Sequence, residues 1–395
     1  MKAPSQFTYL MMLSGLMAVG PLATDMYLPS LPAMAAEFGT TAEQMTLTFS
    51  IYLVGFGGGQ IIWGPLADRF GRRPVIFLGL VVFALASVGC AVATNVETLI
   101  AMRFLQALAA AAGPIGSRSS VRDRFEPAEA AGIFGLLAAI FAVVPMVAPA
   151  LGGLMQEHIG WAGNFWVMGG YAVLLCLLFL ALMPESLDPA LRQPIRPLAI
   201  YRSYATLLRD SELLSLLIMV SGIYAGLFAF LSGSSFIFQE LYGLPPSTFG
   251  VLFGIMVSGF FVGSLITRPL TRRLGTQTML KLGMSMVGLA GLAYGAIAID
   301  GIGSPTAVIA AQTIFALGVG ISSPQISAAA MANYPHMAGT AAALQGFTQL
   351  VSGAISGYVV GLLYDGTARP MTTIITLGCA IGVGMYLAAF ARKRA

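Results

Sequence analysis

Charged side chains are scarce in this chain of 395 residues. Asp, Glu, Lys and Arg make up 9% of it, whereas ordinary soluble domains carry roughly 25%. So few charges cannot cover a water-soluble surface, and hydrophobic residues account for 57% of the chain. We therefore expect most of the chain to face lipid.

Cysteine and histidine are also rare, and each shortage argues against a class of site. Cys90, Cys176 and Cys379 lie inside apolar runs without paired spacing, which argues against a disulfide framework or a zinc site. Two histidines are too few for a multi-histidine metal site. Basic runs interleaved with aromatic residues are missing, so the net charge of +4 does not indicate a nucleic-acid partner. We expect no metal, no organic cofactor and no enzyme active site.

The chain contains a series of long apolar runs instead. A hydrocarbon core of ~30 Å needs about 20 helical residues, and lipid cannot satisfy exposed backbone groups, so each run is predicted to be a transmembrane helix. The first run lacks a cleavage site and is too long for a signal peptide, so an uncleaved span is expected. The twelve predicted spans are 7–34, 43–64, 74–93, 97–118, 129–155, 162–183, 212–239, 247–268, 277–299, 305–330, 338–363 and 371–391.

Lys and Arg are distributed asymmetrically between the connecting segments. Counted against these spans, 18 of the 20 basic residues fall on one side, Arg369 falls on the other, and Arg103 lies within the membrane. Basic residues favour the cytoplasmic side. We therefore predict a multi-pass protein of the bacterial inner membrane with both termini in the cytoplasm.

The longest polar segment, residues 184–211, divides the chain into 1–183 and 212–395, with six spans on each side. A weak internal repeat supports this division, because four residues after the second span of the first half recur after the second span of the other half. Pro65, Leu66, Arg69 and Gly71 match Pro269, Leu270, Arg273 and Gly275. The predicted fold is an all-α membrane protein with two six-helix bundles, an arrangement found in transporters.

Asp25 and Arg103 are ionisable residues inside predicted spans. A charge at bilayer depth costs about 2.5–3.5 kcal/mol on insertion scales, so such residues usually have a function. Burial favours the neutral acid, while a nearby positive charge favours the carboxylate, which allows Asp25 to exchange a proton. A structural ion pair between the two is the alternative. Prolines in the same span predict a bent outer end or a gating hinge: Pro21, Pro29 and Pro32.

The segment GPLADRFGRRP at 64–74 is the strongest motif. Its glycines permit a left-handed turn or close packing, and Asp68 is a carboxylate at the membrane edge. A simple basic turn at the cytoplasmic face would explain the arginines alone. Together with ATDMYLPSLP at 23–32 and RFLQAL at 103–108, the segment resembles the major facilitator superfamily. The resemblance is to the drug:proton antiporters of its bicyclomycin- and chloramphenicol-resistance branch.

This resemblance implies two six-helix bundles around a central cavity that opens alternately to each side. It implies that Asp25 is the protonation and coupling site and that Arg103 is linked to proton transfer. It also implies a cytoplasmic latch at Gly64, Asp68, Arg69, Gly71 and Arg72. The glycine pattern of antiporters in the fifth span is matched in part. Gly135, Pro149, Gly152 and Gly153 fit, while Val144 and Ala148 replace expected glycines.

Candidate substrate-binding residues are polar or aromatic residues near the membrane centre. Thr24 lies beside Asp25, and Gln106 lies one helical turn from Arg103. Aromatic residues could line an apolar cavity, although most such residues pack or face lipid. The candidates are Thr24, Asp25, Tyr27, Phe49, Tyr52, Arg103, Gln106, Phe141, Tyr224 and Phe228, with Phe236 and Phe238 as further aromatic residues.

The predicted function is proton-coupled export of small drugs by alternating access, with the proton as coupling ion. The expected partners are a small-molecule drug, protons and the lipid bilayer, and we expect a monomer. An exporter of a physiological metabolite, such as an amino acid or sugar derivative, is the alternative. A membrane enzyme would need a cluster of catalytic or metal-binding groups at depth. The half-repeat and the acid–base pair argue against a channel, and the 64–74 motif argues against a receptor.

Overall fold

A computed structural model of the chain describes residues 5–194, 197–332, 334 and 337–392. Within these ranges the secondary structure consists of helices and turns. The α-helices are α1 Gln6–Asp25, α2 Leu31–Glu37, α3 Ala42–Phe70, α4 Arg72–Ala91, α5 Val96–Ala110, α6 Ala112–Arg124, α7 Pro127–Ile159, α8 Trp161–Leu182, α9 Pro197–Leu207, α10 Ser211–Phe236, α11 Pro246–Leu274, α12 Thr276–Asp300, α13 Pro305–Ala332, α14 Ala338–Leu362 and α15 Arg369–Arg392.

Each of the twelve predicted spans is found as a long helical segment. Eleven stretches of the described residues are long and apolar enough to cross a membrane. The remaining predicted span is α14, which has 25 residues and is therefore long enough. It is less apolar because it carries Gln345, Thr348, Gln349, Ser352 and Ser356. The predicted all-α membrane architecture is confirmed.

Several helices extend further than predicted, among them the second helix of each half. The spans predicted at 43–64 and 247–268 continue as helix to Phe70 and Leu274. Each is followed by a glycine with positive φ, 105° at Gly71 and 80° at Gly275, a conformation that other residues rarely adopt. The next helix then begins immediately. The 64–70 segment is therefore helical, and the matched glycines support the internal repeat.

The first span is broken near its outer end, as its prolines predict. α1 ends at Asp25, a 3₁₀ turn covers Leu28–Ser30, and α2 starts at Leu31. The corresponding first helix of the second half also changes geometry, because α10 passes into a π-helical turn at Ile237–Leu241. Such turns occur frequently at functional sites. Both halves thus carry an irregular helix at the same end of the bundle.

The halves meet mainly through two helix pairs, α3 with α14 and α7 with α11. We call the end of the bundle where α3 and α11 begin, at Ala42 and Pro246, the sealed face. The end where they terminate, at Phe70 and Leu274, is the open face. The halves are in close contact at the sealed face and are separated by a cavity at the open face.

The central segment contributes one helix at the open face. Tyr204 and Leu207 of α9 pack against Leu213 of α10 and Leu344 of α14. α9 is therefore associated with helices of the second half. The division into 1–183, 184–211 and 212–395 as separate units stays a prediction.

Candidate functional site

Asp25 is buried at the point where α1 ends. Its side chain is 4% exposed, and the helix is capped at the next residue by the Met26 N–H, which donates to the Leu22 carbonyl. Two neighbouring helices hold the last turns of α1. The Tyr52 hydroxyl of α3 donates to the Gly20 carbonyl at 3.2 Å, and Arg103 of α5 donates to the Ala23 carbonyl at 3.0 Å. The carboxyl group is thus placed by packing at a fixed helix end.

Arg103 is fully buried in an aromatic enclosure. Its Cζ lies 4.1 Å from the ring centroid of Tyr27 and 4.3 Å from that of Tyr52, within cation–π range. Nη1 donates to the Gln106 Oε1 at 2.6 Å, as the one-turn spacing predicts. Nε and Nη2 have no hydrogen-bond partner among the described residues. The aromatic faces and the carbonyl of Ala23 therefore compensate the buried cation in part.

The structure does not join Asp25 and Arg103 in an ion pair. Within the ranges described, N–O contacts of 4.0 Å or less between charged side chains involve Arg72 alone. Arg103 donates to the Ala23 carbonyl and to Gln106 instead, and the rings of Tyr27 and Tyr52 lie within cation–π range of its guanidinium. A structural Asp25–Arg103 pair is therefore absent in this conformation, and none of the described basic residues pairs with Asp25.

A cavity of about 1270 Å³ lies between the halves at the open face. Drug-sized ligands occupy pockets of about 300–1,000 Å³, so its size is sufficient. The first half contributes Met17, Gln60, Ile61, Gly64, Asp68, Arg118, Arg122 and Phe134 to the wall, among others. The second half contributes Phe260, Phe261, Ser264, Leu265, Met331 and Thr340, and α9 contributes Tyr204.

The predicted substrate-binding residues lie off this wall in this conformation, and their contact with substrate stays a prediction. Nine of the ten have described side chains, and none of these nine lines it: Thr24, Asp25, Tyr27, Phe49, Tyr52, Arg103, Gln106, Tyr224 and Phe228. Phe141 lies outside the residues whose side chains are described. These side chains do not reach the wall because they are packed between helices nearer the sealed face, where Phe49 is 0% exposed. Met17 reaches the wall, about 12 Å along α1 from Asp25.

Seven of these nine residues nevertheless form two clusters. Tyr27, Tyr52 and Gln106 surround Arg103, and Gln106 also donates to the Ser87 hydroxyl at 2.8 Å. The other cluster crosses between the halves. Phe49 packs on Phe228 with a centroid distance of 6.1 Å, and Phe228 packs on Tyr224 at 6.2 Å. Thr24 is half-buried and donates to the Pro21 carbonyl at 3.0 Å.

Backbone contacts close the sealed face. A Cβ on Gly250 of α11 would collide with the Pro149 carbonyl of α7, and one on Gly153 would collide with the Pro246 carbonyl. Glycine is thus required for this approach of the halves. Gln239 in the π-helical turn donates to the Pro29 carbonyl at 2.9 Å, which links the two irregular helices.

Two carboxylates support the same closure. Glu43 of α3 accepts a hydrogen bond from the Tyr358 hydroxyl of α14 at 2.9 Å. Glu157 of α7 accepts one from the Ser247 N–H at 2.9 Å, at the N-terminus of α11. A carboxylate is favourable at a helix N-terminus, where backbone N–H groups are unpaired. Each bond joins one half to the other.

The predicted latch forms a charge network within the first half. Arg72 pairs with Asp68 and, at 3.0 Å, with Asp123 of α6. Arg69 lies over the Phe70 ring at 5.5 Å. Gly64 lines the cavity, and a Cβ there would meet no atom within 4 Å. The geometry brings Asp68 and Arg72 together with Asp123, while their role as a latch stays a prediction.

Glu185 is a residue that the sequence reasoning missed. Its carboxylate accepts the backbone N–H groups of Arg72 and Arg73 at 2.9 and 3.0 Å, which caps α4. It also accepts those of Ser186 and Leu187. A Cβ on Gly71 would run into this carboxylate, which explains the glycine beyond its positive φ. The contact joins residues more than 100 positions apart, so no local sequence signal indicates it.

We expect Glu185→Gln to destabilise the protein without a change in its fold. The amide retains the shape but loses the charge that strengthens these bonds, and hydrogen bonds to charged groups contribute about 1.5–3 kcal/mol each. Thermal unfolding in detergent should show a lower Tm than wild type. Asp188→Asn is the control, because Asp188 accepts one exposed hydrogen bond from Ala190. Equal Tm values for the wild type and Glu185→Gln would contradict the capping role.

Comparisons with known proteins agree with this architecture. The family model described as Major Facilitator Superfamily matches residues 13–357. An uncharacterized MFS-type transporter of Bacillus subtilis is 35% identical over 94% of this chain and 92% of its own length. The bicyclomycin resistance protein homolog of Haemophilus influenzae is 30% identical over 99% of this chain and 97% of its own length.

The fold also resembles a solved structure. A bacterial homolog of the human lysosomal transporter Spinster, in an inward-facing and unoccupied conformation, has a TM-score of 0.75 to this chain. It covers 98% of this chain and 96% of its own, at 15% sequence identity, so the likeness concerns the fold. The chain is thus a transport protein rather than an enzyme, and it belongs to the Major Facilitator Superfamily, as the motifs at 64–74 and 23–32 predict.

Proposed function

We propose that this protein is a proton-coupled antiporter that exports small drugs across the bacterial inner membrane. One observation carries the proposal: the carboxyl group of Asp25 is buried at a helix break and pairs with no basic side chain in the part of the chain that the structure describes. An unpaired buried carboxylate is costly, so proton release must accompany access to water or the arrival of a polar ligand. The relative named for bicyclomycin resistance supports a drug as the exported compound.

The two helix pairs between the halves, α3 with α14 and α7 with α11, support alternating access. In this conformation α7 and α11 touch towards the sealed face and separate around the cavity. The excess of Lys and Arg makes the open face the cytoplasmic one, so a substrate enters there. Opening of the sealed face then exposes Asp25 and the substrate to the outside. Protonation of Asp25 from that side releases the substrate and returns the carrier to the conformation that is open to the cytoplasm. The proposed cycle needs one copy of the chain.

Purified protein in liposomes with an imposed pH gradient tests this function. We expect a panel of phenicol and bicyclomycin-type compounds to contain substrates whose accumulation stops when a protonophore collapses the gradient. Addition of a substrate to protein in detergent should release protons. Accumulation that persists without the gradient would overturn proton coupling. Coupled transport restricted to amino acids or sugar derivatives would favour the alternative of a metabolite exporter.

A further inference from the structure

Two arginines on the cavity wall have no acidic partner among the described residues. Arg118 and Arg122 lie one turn apart on α6, and both side chains are exposed on the wall between the halves. Neither has a carboxylate oxygen within 4.0 Å among the described residues. Arg122 donates to the Ser119 hydroxyl at 3.4 Å, a neutral acceptor. The wall therefore presents two guanidinium groups to whatever enters.

The acidic side chain on the described wall is Asp68, and it is already engaged. Arg72 pairs with it and also binds Asp123. Asp25, the buried acid of the same half, is not part of the wall. On the described wall, a cation entering the cavity would thus meet one half-exposed carboxylate that is already paired with an arginine, while the two unpaired arginines would repel it.

The second half adds no acidic residue to the described wall, and it carries positive charge beside the cavity. Its described residues on the cavity wall are apolar, small or hydroxyl-bearing. A neighbouring cleft of about 550 Å³ shares Ser264 and Pro324 with the cavity and is lined by Arg268 and Arg272. Arg272 stands where the internal repeat places Asp68 in the first half. Basic residues therefore lie on the cavity wall in the first half and beside the cavity in the second half.

We propose that the cavity selects amphipathic substrates that carry an anionic group, such as a carboxylate, and disfavours lipophilic cations. This inference rests on the proposed export function and specifies its substrate class. Guanidinium groups bind carboxylates through two parallel hydrogen bonds, and a cleft with apolar walls focuses the field of its charges. Ile61, Phe134 and Phe260 provide the apolar surface for the rest of the molecule.

Arginines at a membrane edge also set the orientation of a protein. Orientation alone does not require them on the wall between the halves, because a basic residue facing the lipid headgroups serves equally. The two roles make different predictions for ligand binding. An arginine that only orients the chain leaves the charge preference of the cavity unchanged when it is replaced.

The test measures binding of three pyrene probes of the same size: 1-pyrenebutyrate, neutral 1-pyrenebutanol and (4-pyren-1-ylbutyl)trimethylammonium. The protein is held in nanodiscs of phosphatidylcholine, and binding to empty nanodiscs is subtracted. We expect the wild type to bind the anion about tenfold more tightly than the cation. Arg118→Gln with Arg122→Gln should bring that ratio close to one. Arg209→Gln with Arg273→Gln is the matched control, because it removes two exposed arginines that do not line the cavity.

A wild-type ratio near one, tighter binding of the cation, or a ratio that survives in the Arg118/Arg122 variant would overturn the proposal. Failure of all three probes to bind would overturn it as well, since the cavity would then hold no amphiphile of this size. The binding measurement needs no pH gradient. A negative result would therefore contradict the charge preference of the cavity without contradicting proton coupling, which the liposome assay tests. Coupled export of a cationic drug, for example, would sustain the proposed function and sink this inference.

Discussion

Asp25→Asn is expected to reduce proton-driven accumulation of substrate to the level of protein-free liposomes. The amide has the size of the carboxyl group and stays neutral, so it fits the buried position but cannot release a proton. A pH difference of one unit is worth about 1.4 kcal/mol per proton, and 100 mV about 2.3 kcal/mol per charge. Without a titrating group this free energy cannot reach the substrate, and transport only equilibrates its concentration.

The same variant should still exchange substrate for substrate when no gradient is applied. The contacts that hold the end of α1 come from Tyr52 and Arg103 to backbone carbonyls and do not involve the Asp25 side chain. The helix end and the Arg103 enclosure should therefore persist. Loss of coupling with retained exchange separates a proton carrier from a residue needed for folding.

Asp188→Asn is the matched control for this experiment. It makes the same chemical change in the central segment, at an exposed carboxylate away from the membrane centre. Its proton-driven accumulation should equal that of the wild type. Accumulation at the wild-type rate in Asp25→Asn would remove Asp25 from the mechanism and leave this chain without an identified coupling site.

Helix ends show how far hydropathy predicts this fold. The apolar runs predict the position of every span, but they predict the ends of α3 and α11 six residues too early. Hydropathy indicates where a helix leaves the lipid, but a helix can continue past the membrane edge. The last turns of α3 contain Asp68, and the first residue of α4 is Arg72, so both helices include charged residues outside the apolar runs. The positive φ of Gly71 marks the true end of α3. A glycine followed by basic residues was a better signal for this end than the loss of apolar residues.

The surroundings of Arg103 were predictable only where the contact is local. Gln106 is one turn away on the same helix, and its hydrogen bond to Arg103 follows from that spacing. Tyr27 and Tyr52 belong to other helices, and their position over the guanidinium depends on tertiary packing. The aromatic rings thus contact the Arg103 guanidinium, whereas the sequence suggested Asp25 as its partner.

The position of the cavity could not be predicted for a different reason. An alternating carrier has at least two conformations, and one sequence encodes both. Side chains such as Phe49 and Tyr52 are buried here because the sealed face is closed, while the cavity begins nearer the other end at Met17. Their contact with substrate stays a prediction, and the proposed opening of the sealed face would expose them.

Gly250→Ala is expected to shift the protein away from the conformation seen here. The added Cβ would lie closer to the Pro149 carbonyl than carbon and oxygen can approach, and that oxygen belongs to the backbone, which cannot rotate away. Overpacking at such a site costs about 1–3 kcal/mol. Because 1.4 kcal/mol is tenfold in an equilibrium, the sealed state should lose about five- to 150-fold in population relative to a state in which α7 and α11 separate. Transport should fall, since the cycle needs both states.

Spin labels on the lipid-exposed residues Leu154 of α7 and Val251 of α11 report this change. Cys90, Cys176 and Cys379 are first replaced by alanine, so that only the introduced cysteines carry labels. The distance distribution should move to longer values in Gly250→Ala. Gly170→Ala is the control, because a Cβ at this exposed position of α8 meets no atom within 4 Å. An unchanged distribution in Gly250→Ala would mean that the α7–α11 contact does not hold the sealed face shut. Closure would then depend on the Glu43–Tyr358 and Gln239–Pro29 hydrogen bonds.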